Sequence, residues 1–164
     1  MASWPEFRPT SLLQRLADAG VDYVLVGGLA VVAQGYARLT RDIDICHAPD
    51  ARNLDALGEL LIALEARLRG IDEDVPFVPD ADTLRRMQIL TLTTNEGELD
   101  LLVAPSGAPD YAALRRRADR IELAGTRVLV ASIDDLLAMK RAAGRPKDLL
   151  DIAALEAIRR RRER

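Results

Sequence analysis

Three aspartates are spaced so that they could hold a metal ion. Two lie in Asp42-Ile-Asp44-Ile, and the third, Asp100, is flanked by leucines in Glu-Leu-Asp-Leu-Leu. Residues i and i+2 of a β-strand point to one face, so Asp42 and Asp44 would project together while the isoleucines enter the core. Neighbouring carboxylates repel unless a cation neutralises them, and hard ions such as Mg²⁺ prefer oxygen ligands. If the strand of Asp100 pairs with that of Asp42, three carboxylates converge on a site suited to phosphoryl chemistry.

A glycine pair, Gly27-Gly28, precedes Asp42 at the end of an apolar segment. Glycines between a strand and a helix let the backbone approach a phosphate, and free N–H groups favour the anion. Alone, the pair also fits an ordinary tight turn, and a lone Asp-x-Asp also fits a solvated strand edge. The combination with a third strand aspartate indicates a nucleotide site.

The basic residues show a second pattern. Arginine outnumbers lysine 21 to 2, and the two lysines, Lys140 and Lys147, stand seven residues apart. A compact ammonium is not interchangeable with a guanidinium where the site is small. The same segment carries Asp148 and Asp151, which also fit as acids near a helix N-terminus. The alternative for this segment is a helix pair with ordinary ion pairs between successive turns.

Composition predicts one domain. The 164 residues are 49% apolar, and the single cysteine, Cys46, excludes an internal disulfide. The N-terminus lacks a secretory pattern, and no window has the roughly 18 apolar residues of a membrane span. A cytoplasmic location follows as the prediction. Residues 1–100 carry a net charge of −8 and residues 101–164 one of +5. A basic C-terminal third suits a polyanionic ligand, although the arginines at 115–117 and 159–162 also fit solvated helix faces.

Hydrophobic periodicity predicts an α+β (α/β) fold, with helices on one mixed sheet. The predicted strands cover residues 22–26, 42–46, 87–93, 98–103, 121–123 and 127–130. The predicted helices cover 10–19, 29–34, a leucine stripe at 54, 57, 61, 64 and 68 capped by Asp50, 110–118, 132–143 and a final helix from about 147. We expect a loop over 75–80 and expect Trp4 to cover the core. Residues 1–132 would form the catalytic core, and 133–164 a helical tail of the same domain.

These motifs resemble the nucleotidyltransferase signature of the DNA polymerase beta superfamily. Gly27-Gly28-Leu-Ala, Arg38-Leu-Thr-Arg-Asp-Ile-Asp and Lys140-Arg-Ala-Ala-Gly-Arg-Pro-Lys-Asp-Leu-Leu-Asp151 are similar to the small bacterial nucleotidyltransferases related to abortive-infection toxins (AbiEii type). The resemblance spans residues 20–152. The chain departs from the superfamily at Gly28, where a serine is common, and is too short for the separate base-reading domains of larger members.

The resemblance implies a role for each motif. Asp42, Asp44 and Asp100 would bind Mg²⁺ or Mn²⁺ and, with Lys140 neutralising the triphosphate, form the catalytic set. Gly27 and Gly28 would contact the nucleotide phosphates, and Arg38 and Thr40 would steer a phosphate or the acceptor. Lys147, Asp148 and Asp151 would line the same cleft or fix the two terminal helices.

The predicted activity is metal-dependent transfer of a nucleoside monophosphate from an NTP to an acceptor hydroxyl. The basic third favours RNA, tRNA in particular, as the acceptor, and the toxin resemblance implies a cognate antitoxin partner. Protein and small-molecule acceptors stay open, as does a non-catalytic nucleotide-binding module that acts through a partner. The chain has no Gly-Lys-Ser/Thr phosphate loop, which argues against an ordinary NTPase.

Overall fold

Apolar and amphipathic segments alternate along the chain and form strands and helices in a computed structural model, which describes residues 6–71 and 77–164. The strands of the described residues are β1 (Tyr23–Val26), β2 (Asp42–His47), β3 (Arg67–Leu68), β4 (Ile89–Thr94), β5 (Gly97–Leu102), β6 (Asp119–Leu123) and β7 (Thr126–Val130). The helices are α1 (Pro9–Asp18), α2 (Gly27–Ala33), α3 (Ala51–Ala63), α4 (Ala81–Arg86), α5 (Tyr111–Arg117), α6 (Ile133–Ala143) and α7 (Leu149–Arg162).

One mixed sheet contains all seven of these strands, in the order β3-β4-β5-β2-β1-β7-β6. The pairs β2–β5 and β1–β7 are parallel, and the other neighbours are antiparallel. The order places β5, which carries the third aspartate, directly beside the Asp-x-Asp strand β2. The predicted fold class, a mixed sheet with flanking helices, is confirmed.

The core is one cluster that joins the apolar positions of the central strands with buried residues of α1, α2, α3 and α6. Ile43 and Ile45 of β2 are fully buried, whereas Asp42 and Asp44 of the same strand are only partly buried. This alternation is the one expected for a strand with one core face. No helix of residues 6–71 and 77–164 is long and apolar enough to cross a bilayer.

The structure corrects the predicted leucine-stripe helix. Helix α3 ends at Ala63, because Glu65 adopts a left-handed conformation with φ of 53°. The N–H of Ala66 then donates to the carbonyl of Leu61 and closes the helix end. Leu68 therefore lies on β3 and not on the helix. Leu64 still points inwards and is buried, which is why the periodicity extended past the true end.

One further local feature differs from the sequence-based prediction. Helix α4 was not predicted; the Asp80 side chain caps it by accepting from the N–H of Thr83 at 2.8 Å. The expected loop over 75–80 is described only from residue 77, and residues 77–80 form no helix or strand. Trp4 lies outside the described residues.

Helix α6 begins and ends as its capping residues predict. Ser132 accepts from the N–H of Asp135 at 3.1 Å, and Gly144, with φ of 62°, ends α6. A short 3₁₀ turn, Pro146–Asp148, leads directly into α7. This turn places Lys147 on the same cleft as Val26, the last residue of β1, and Asp42, the first residue of β2.

Candidate active site

Parallel pairing of β2 and β5 brings the three aspartates together. Asp44 is the register partner of Asp100, and Asp42 is that of Glu98. Carboxylate oxygens of Asp42, Asp44 and Asp100 all lie within 4.8 Å of one another, a span that one or two oxygen-seeking cations can bridge. The convergence expected from sequence is therefore present in the fold.

The cluster is electrostatically strained without a cation. Burial, followed by the charges of Asp42 and Asp100, raises the pKa of Asp44 to about 8, against the lowering effect of Lys140. Burial also raises the pKa of Asp100, although the hydrogen bond and charge of Arg69 oppose it. A bound divalent ion would remove this cost because it stabilises all three charged forms at once. The all-carboxylate donor set, the spacing and the raised pKa of Asp44 fit a hard divalent metal.

Gly27 is pressed against the cluster. Its φ is 71°, and a Cβ built on it would lie 1.9 Å from Oδ2 of Asp44. The chain leaves β1 and turns immediately into α2 at this point, and only a glycine provides both the conformation and the space. The glycine pair therefore does more than end a strand, because it makes room for the second aspartate.

Gly28 makes room for a different side chain. A Cβ at Gly28 would lie 2.7 Å from Nη2 of Arg38 and 3.0 Å from Oγ1 of Thr40. The Arg38 guanidinium is held there by Asp151, with Nη2 donating to Oδ2 at 3.0 Å. The Thr40 hydroxyl lies 3.3 Å from the carbonyl oxygen of Asp42. The departure from serine at position 28 therefore has a steric reason in this chain.

Lys140 is almost fully buried, with 7% of its surface exposed. Its Nζ donates to Oδ1 of Asp148 at 3.0 Å and lies 3.0 Å from Oδ2 of Asp151. Asp148 also accepts from Arg145 at 2.8 Å, and Asp151 pairs with Arg38. Burial alone would raise the pKa of Asp148, but hydrogen bonds from Arg145 and Lys140 outweigh it and lower that pKa. This network joins α6 and α7 to the loop that precedes β2.

Arg69, just after β3, was missed by sequence reasoning. Its Nη2 donates to Oδ1 of Asp100 at 2.7 Å and to the carbonyl of Leu92 at 2.9 Å. Its Nε lies 3.6 Å from Oε1 of Glu98. The residue directly follows the stretch that periodicity assigned to a helix, so no sequence signal placed it near Asp100.

All eleven predicted site residues line one cleft of about 1210 Å³. They are Gly27, Gly28, Arg38, Thr40, Asp42, Asp44, Asp100, Lys140, Lys147, Asp148 and Asp151. Sequence reasoning missed three basic residues of the lining, namely Arg41, Arg69 and Arg145. Arg41 and Arg145 lie within the motifs that carry the family resemblance. Their position in those motifs could have identified them as residues of the cleft. Cys46 and His47, at the far end of β2, are buried and are absent from the lining.

Ion pairs engage several arginines of the basic C-terminal third. The pairs are Arg115–Asp22, Arg117–Asp135, Arg141–Glu156, Arg145–Asp148 and Arg159–Asp134. Arg116, Arg160 and Arg161 are exposed and make no ion pair within the described part of the chain. Four of the five acids in these pairs lie within residues 101–164 and are already subtracted in that segment's net charge of +5, so the pairs limit which arginines are available to a polyanion and leave the net charge almost unchanged.

The chain belongs to the family described as a nucleotidyltransferase of unknown function (DUF6036), whose model matches residues 10–161. Membership of this family makes the protein a nucleotidyltransferase, as the glycine and aspartate motifs indicated. No curated protein matches the chain.

Several solved structures share the fold at low identity. The structure of ANT(2")-Ia in complex with adenylyl-2"-tobramycin is 18% identical, with a TM-score of 0.58 over 94% of this chain and 98% of that one. The lincosamide antibiotic adenylyltransferase LnuA, lincomycin-bound, is 19% identical, with a TM-score of 0.62 over 90% and 94%. An antigenic nucleotidyltransferase-like protein from Paracoccidioides brasiliensis is 21% identical, with a TM-score of 0.52 over 89% and 72%. At these identities the likeness shows the fold alone.

Proposed function

We propose that this nucleotidyltransferase moves a nucleoside monophosphate from an NTP to a hydroxyl of a small molecule, with Mg²⁺ or Mn²⁺ held by the aspartate cluster. The observation that carries the proposal is the convergence of Asp42, Asp44 and Asp100 within 4.8 Å at the wall of an open cleft. The cluster is complete, which argues against a non-catalytic nucleotide-binding module, since a degenerate site would be free to lose a carboxylate.

The three aspartates would hold the divalent metal, which supplies Lewis-acid stabilisation of charge on the transferred phosphoryl group. Gly27 and Gly28 let the backbone approach the phosphates, because neither presents a side chain to the cleft. Arg38, seated over Gly28, and the exposed Lys147 provide positive charge for the triphosphate. Lys140 contributes through its field and through the carboxylates that it holds in place, since its ammonium is already paired twice.

In the proposed reaction the acceptor oxygen forms a bond to the α-phosphorus. The bond between that phosphorus and the oxygen bridging to the β-phosphate breaks, and its electron pair leaves with pyrophosphate. The proton of the acceptor hydroxyl passes to the Asp100 carboxylate, which lies at the edge of the cluster where Arg69 also contacts it. Proton transfer to a positioned carboxylate of this kind contributes ~100-fold or more to many enzymatic rates.

Two features of the cleft favour a small-molecule acceptor. Leu39, Ile89 and Leu150 line it with 94%, 61% and 72% of their surfaces exposed, which suits an acceptor with apolar parts. Two proteins of the same fold, covered over nearly their whole length, have adenylyl-2"-tobramycin or lincomycin in their structures.

RNA, tRNA in particular, is the second candidate acceptor. The exposed arginines Arg116, Arg160 and Arg161 favour it, because their charge is not neutralised by an ion pair in the described chain. The likeness to abortive-infection toxins and a cognate antitoxin partner belong to this candidate. Cytoplasmic location, and the division into a core (1–132) and a helical tail (133–164), accompany both candidates as predictions.

The proposal is tested by incubating the protein with each α-³²P-labelled NTP and Mg²⁺, in parallel with lincomycin, tobramycin or total cellular RNA. The matched control is Asp44→Asn, which keeps the shape of the side chain and removes its charge. Metal-dependent label on a small molecule supports the leading proposal, and label on RNA supports the second candidate. Equal labelling by Asp44→Asn would contradict the metal assignment, and no label on any acceptor would return the non-catalytic module to first place.

A further inference from the structure

Arg69 reaches the aspartate cluster from the edge of the sheet. It follows the two-residue edge strand β3, and its backbone N–H donates to the carbonyl of Thr91 on β4 at 3.0 Å. Its side chain then crosses β4 and donates to Asp100 on β5, two strands away from β3. Thr91, the β4 residue paired with Asp100, lies between them in the sheet. The short strand β3 therefore positions the Arg69 guanidinium beside the carboxylate of Asp100.

Asp100 lies between a cation and the two other carboxylates of the cluster. Arg69 contacts Oδ1 at 2.7 Å, and an oxygen of Asp100 lies within 4.8 Å of an oxygen of Asp42 and of Asp44. The ion pairs of the described residues include none to Asp42 or Asp44. Within this part of the chain, Asp100 is thus the cluster member that forms an ion pair, and its partner Arg69 also lies 3.6 Å from Glu98. The contact is largely shielded from solvent, because 23% of the Arg69 side chain and 14% of the Asp100 side chain are exposed.

We propose that Arg69 is a positioning residue for Asp100, which keeps Oδ1 engaged and leaves the second oxygen for the metal and the acceptor proton. This inference rests on the proposed function. Without Arg69, Asp100 can rotate about its side-chain bonds away from two like charges. A displacement of about 1 Å in a catalytic group commonly costs about 100-fold in rate. A charge-assisted hydrogen bond to the carboxylate is the direct means of preventing that displacement.

A purely structural role would be different in kind. The Arg69 side chain also donates to the carbonyl of Leu92, and this bond could serve only to hold β3 against β4. A structural arginine would affect stability equally whether residue 100 is charged or neutral. A positioning arginine acts through Asp100, so its effects should depend on that carboxylate.

The first experiment compares Arg69→Ala and Arg69→Lys with the parent protein in the label-transfer assay, using whichever of lincomycin, tobramycin or total RNA the parent labels. Arg117→Ala is the control, since Arg117 donates to a carboxylate at the same 2.7 Å and does not line the cleft. We expect Arg69→Ala to lower kcat by about 10- to 100-fold with little change in KM for the NTP. Arg69→Lys should recover part of the loss, and Arg117→Ala should match the parent.

The second experiment needs no activity. Melting temperatures are measured for Arg69→Ala, Asp100→Asn and the double variant, all without metal. We expect Arg69→Ala to lower the melting temperature more in the parent background than in the Asp100→Asn background. Equal losses in the two backgrounds would overturn the inference and assign Arg69 to β3 alone.

The two proposals fail in different ways. Undiminished kcat for Arg69→Ala in an active parent overturns the positioning role and leaves the proposed function intact. The positioning role is also overturned if Arg69→Ala lowers kcat and raises KM for the NTP by similar factors, and Arg69→Lys recovers neither. No label with the parent protein overturns the proposed function, and the catalytic role of Arg69 with it.

Discussion

Gly27 and Asp44 occupy complementary space, because a Cβ on the glycine would lie 1.9 Å from Oδ2 of the aspartate and 2.9 Å from its Cβ. The relationship crosses two antiparallel strands, in which Val26 is the register partner of Asp44. The glycine pair and the Asp-x-Asp motif therefore pack directly against each other, although Gly28 and Ile43 are fifteen positions apart in the sequence.

Gly27→Ala should abolish nucleotidyl transfer. The substitution strains a residue with φ of 71°, at a cost of about 1–3 kcal/mol, and forces Asp44 out of the cluster. Gly125→Ala is a matched control, because Gly125 has φ of 82° and nothing within 4 Å of its Cβ position. Denaturant unfolding should show a larger loss for Gly27→Ala, and label transfer should survive only in Gly125→Ala. Transfer by Gly27→Ala at the parental rate would contradict the steric account.

Gly28→Ala should act through Arg38. Its Cβ would displace the guanidinium, whose Nη2 lies 2.7 Å from that position, and would loosen the pair with Asp151. Hydrogen bonds to charged groups contribute ~1.5–3 kcal/mol, so we expect KM for the NTP to rise about tenfold or more. In an Arg38→Ala background the same substitution should have little further effect. Additive losses in the double variant would show that Gly28 and Arg38 act separately.

Lys140→Arg should destabilise the protein. The ammonium lies 3.0 Å from each of two carboxylates and is almost fully buried, so the larger guanidinium has to push its neighbours apart. Overpacking of this kind costs about 1–3 kcal/mol, measurable by urea denaturation. Lys147→Arg is the control for the same change at an exposed position and should be neutral for stability. A fully stable and active Lys140→Arg would refute the need for a compact ammonium.

The metal-free protein should lose stability as the pH rises. The pKa of Asp44 is about 8 in the folded protein and close to its ordinary value of 3.8 when unfolded. Between these values the folded state retains a proton that the unfolded state has released, so the unfolding free energy falls with increasing pH. Urea titrations between pH 5 and 8.5 in the presence of a chelator should show this fall for the parent, and a smaller fall for Asp44→Asn. Parallel curves for both proteins would exclude Asp44 as the source.

Much of the site could be predicted because its determinants are local. The period-two pattern of β2 alone requires Asp42 and Asp44 to share one face, since the isoleucines between them must be buried. The caps of α3 and α6 were likewise readable from Asp50 and Ser132, whose side chains accept from backbone N–H groups three residues on.

The end of α3 could not be predicted for a physical reason. Glu65 turns into the left-handed region without a glycine to signal it, while Leu64 keeps the hydrophobic period intact. The pattern therefore continued to indicate a helix over a stretch that forms β3. Because β3 was not predicted, Arg69 was missed as well, since its contact with Asp100 depends on how this edge strand pairs with β4.

The sequence by itself determined which residues could carry the proposed chemistry, since residue type, strand period and glycine placement act within a few positions. Only the tertiary structure decided what each charge contacts. Lys140 faces Asp148 and Asp151, Arg38 lies over Gly28, and Arg69 reaches Asp100 across β4. These contacts depend on strand order and helix packing, which bring together residues as distant in sequence as Arg38 and Asp151, 113 positions apart.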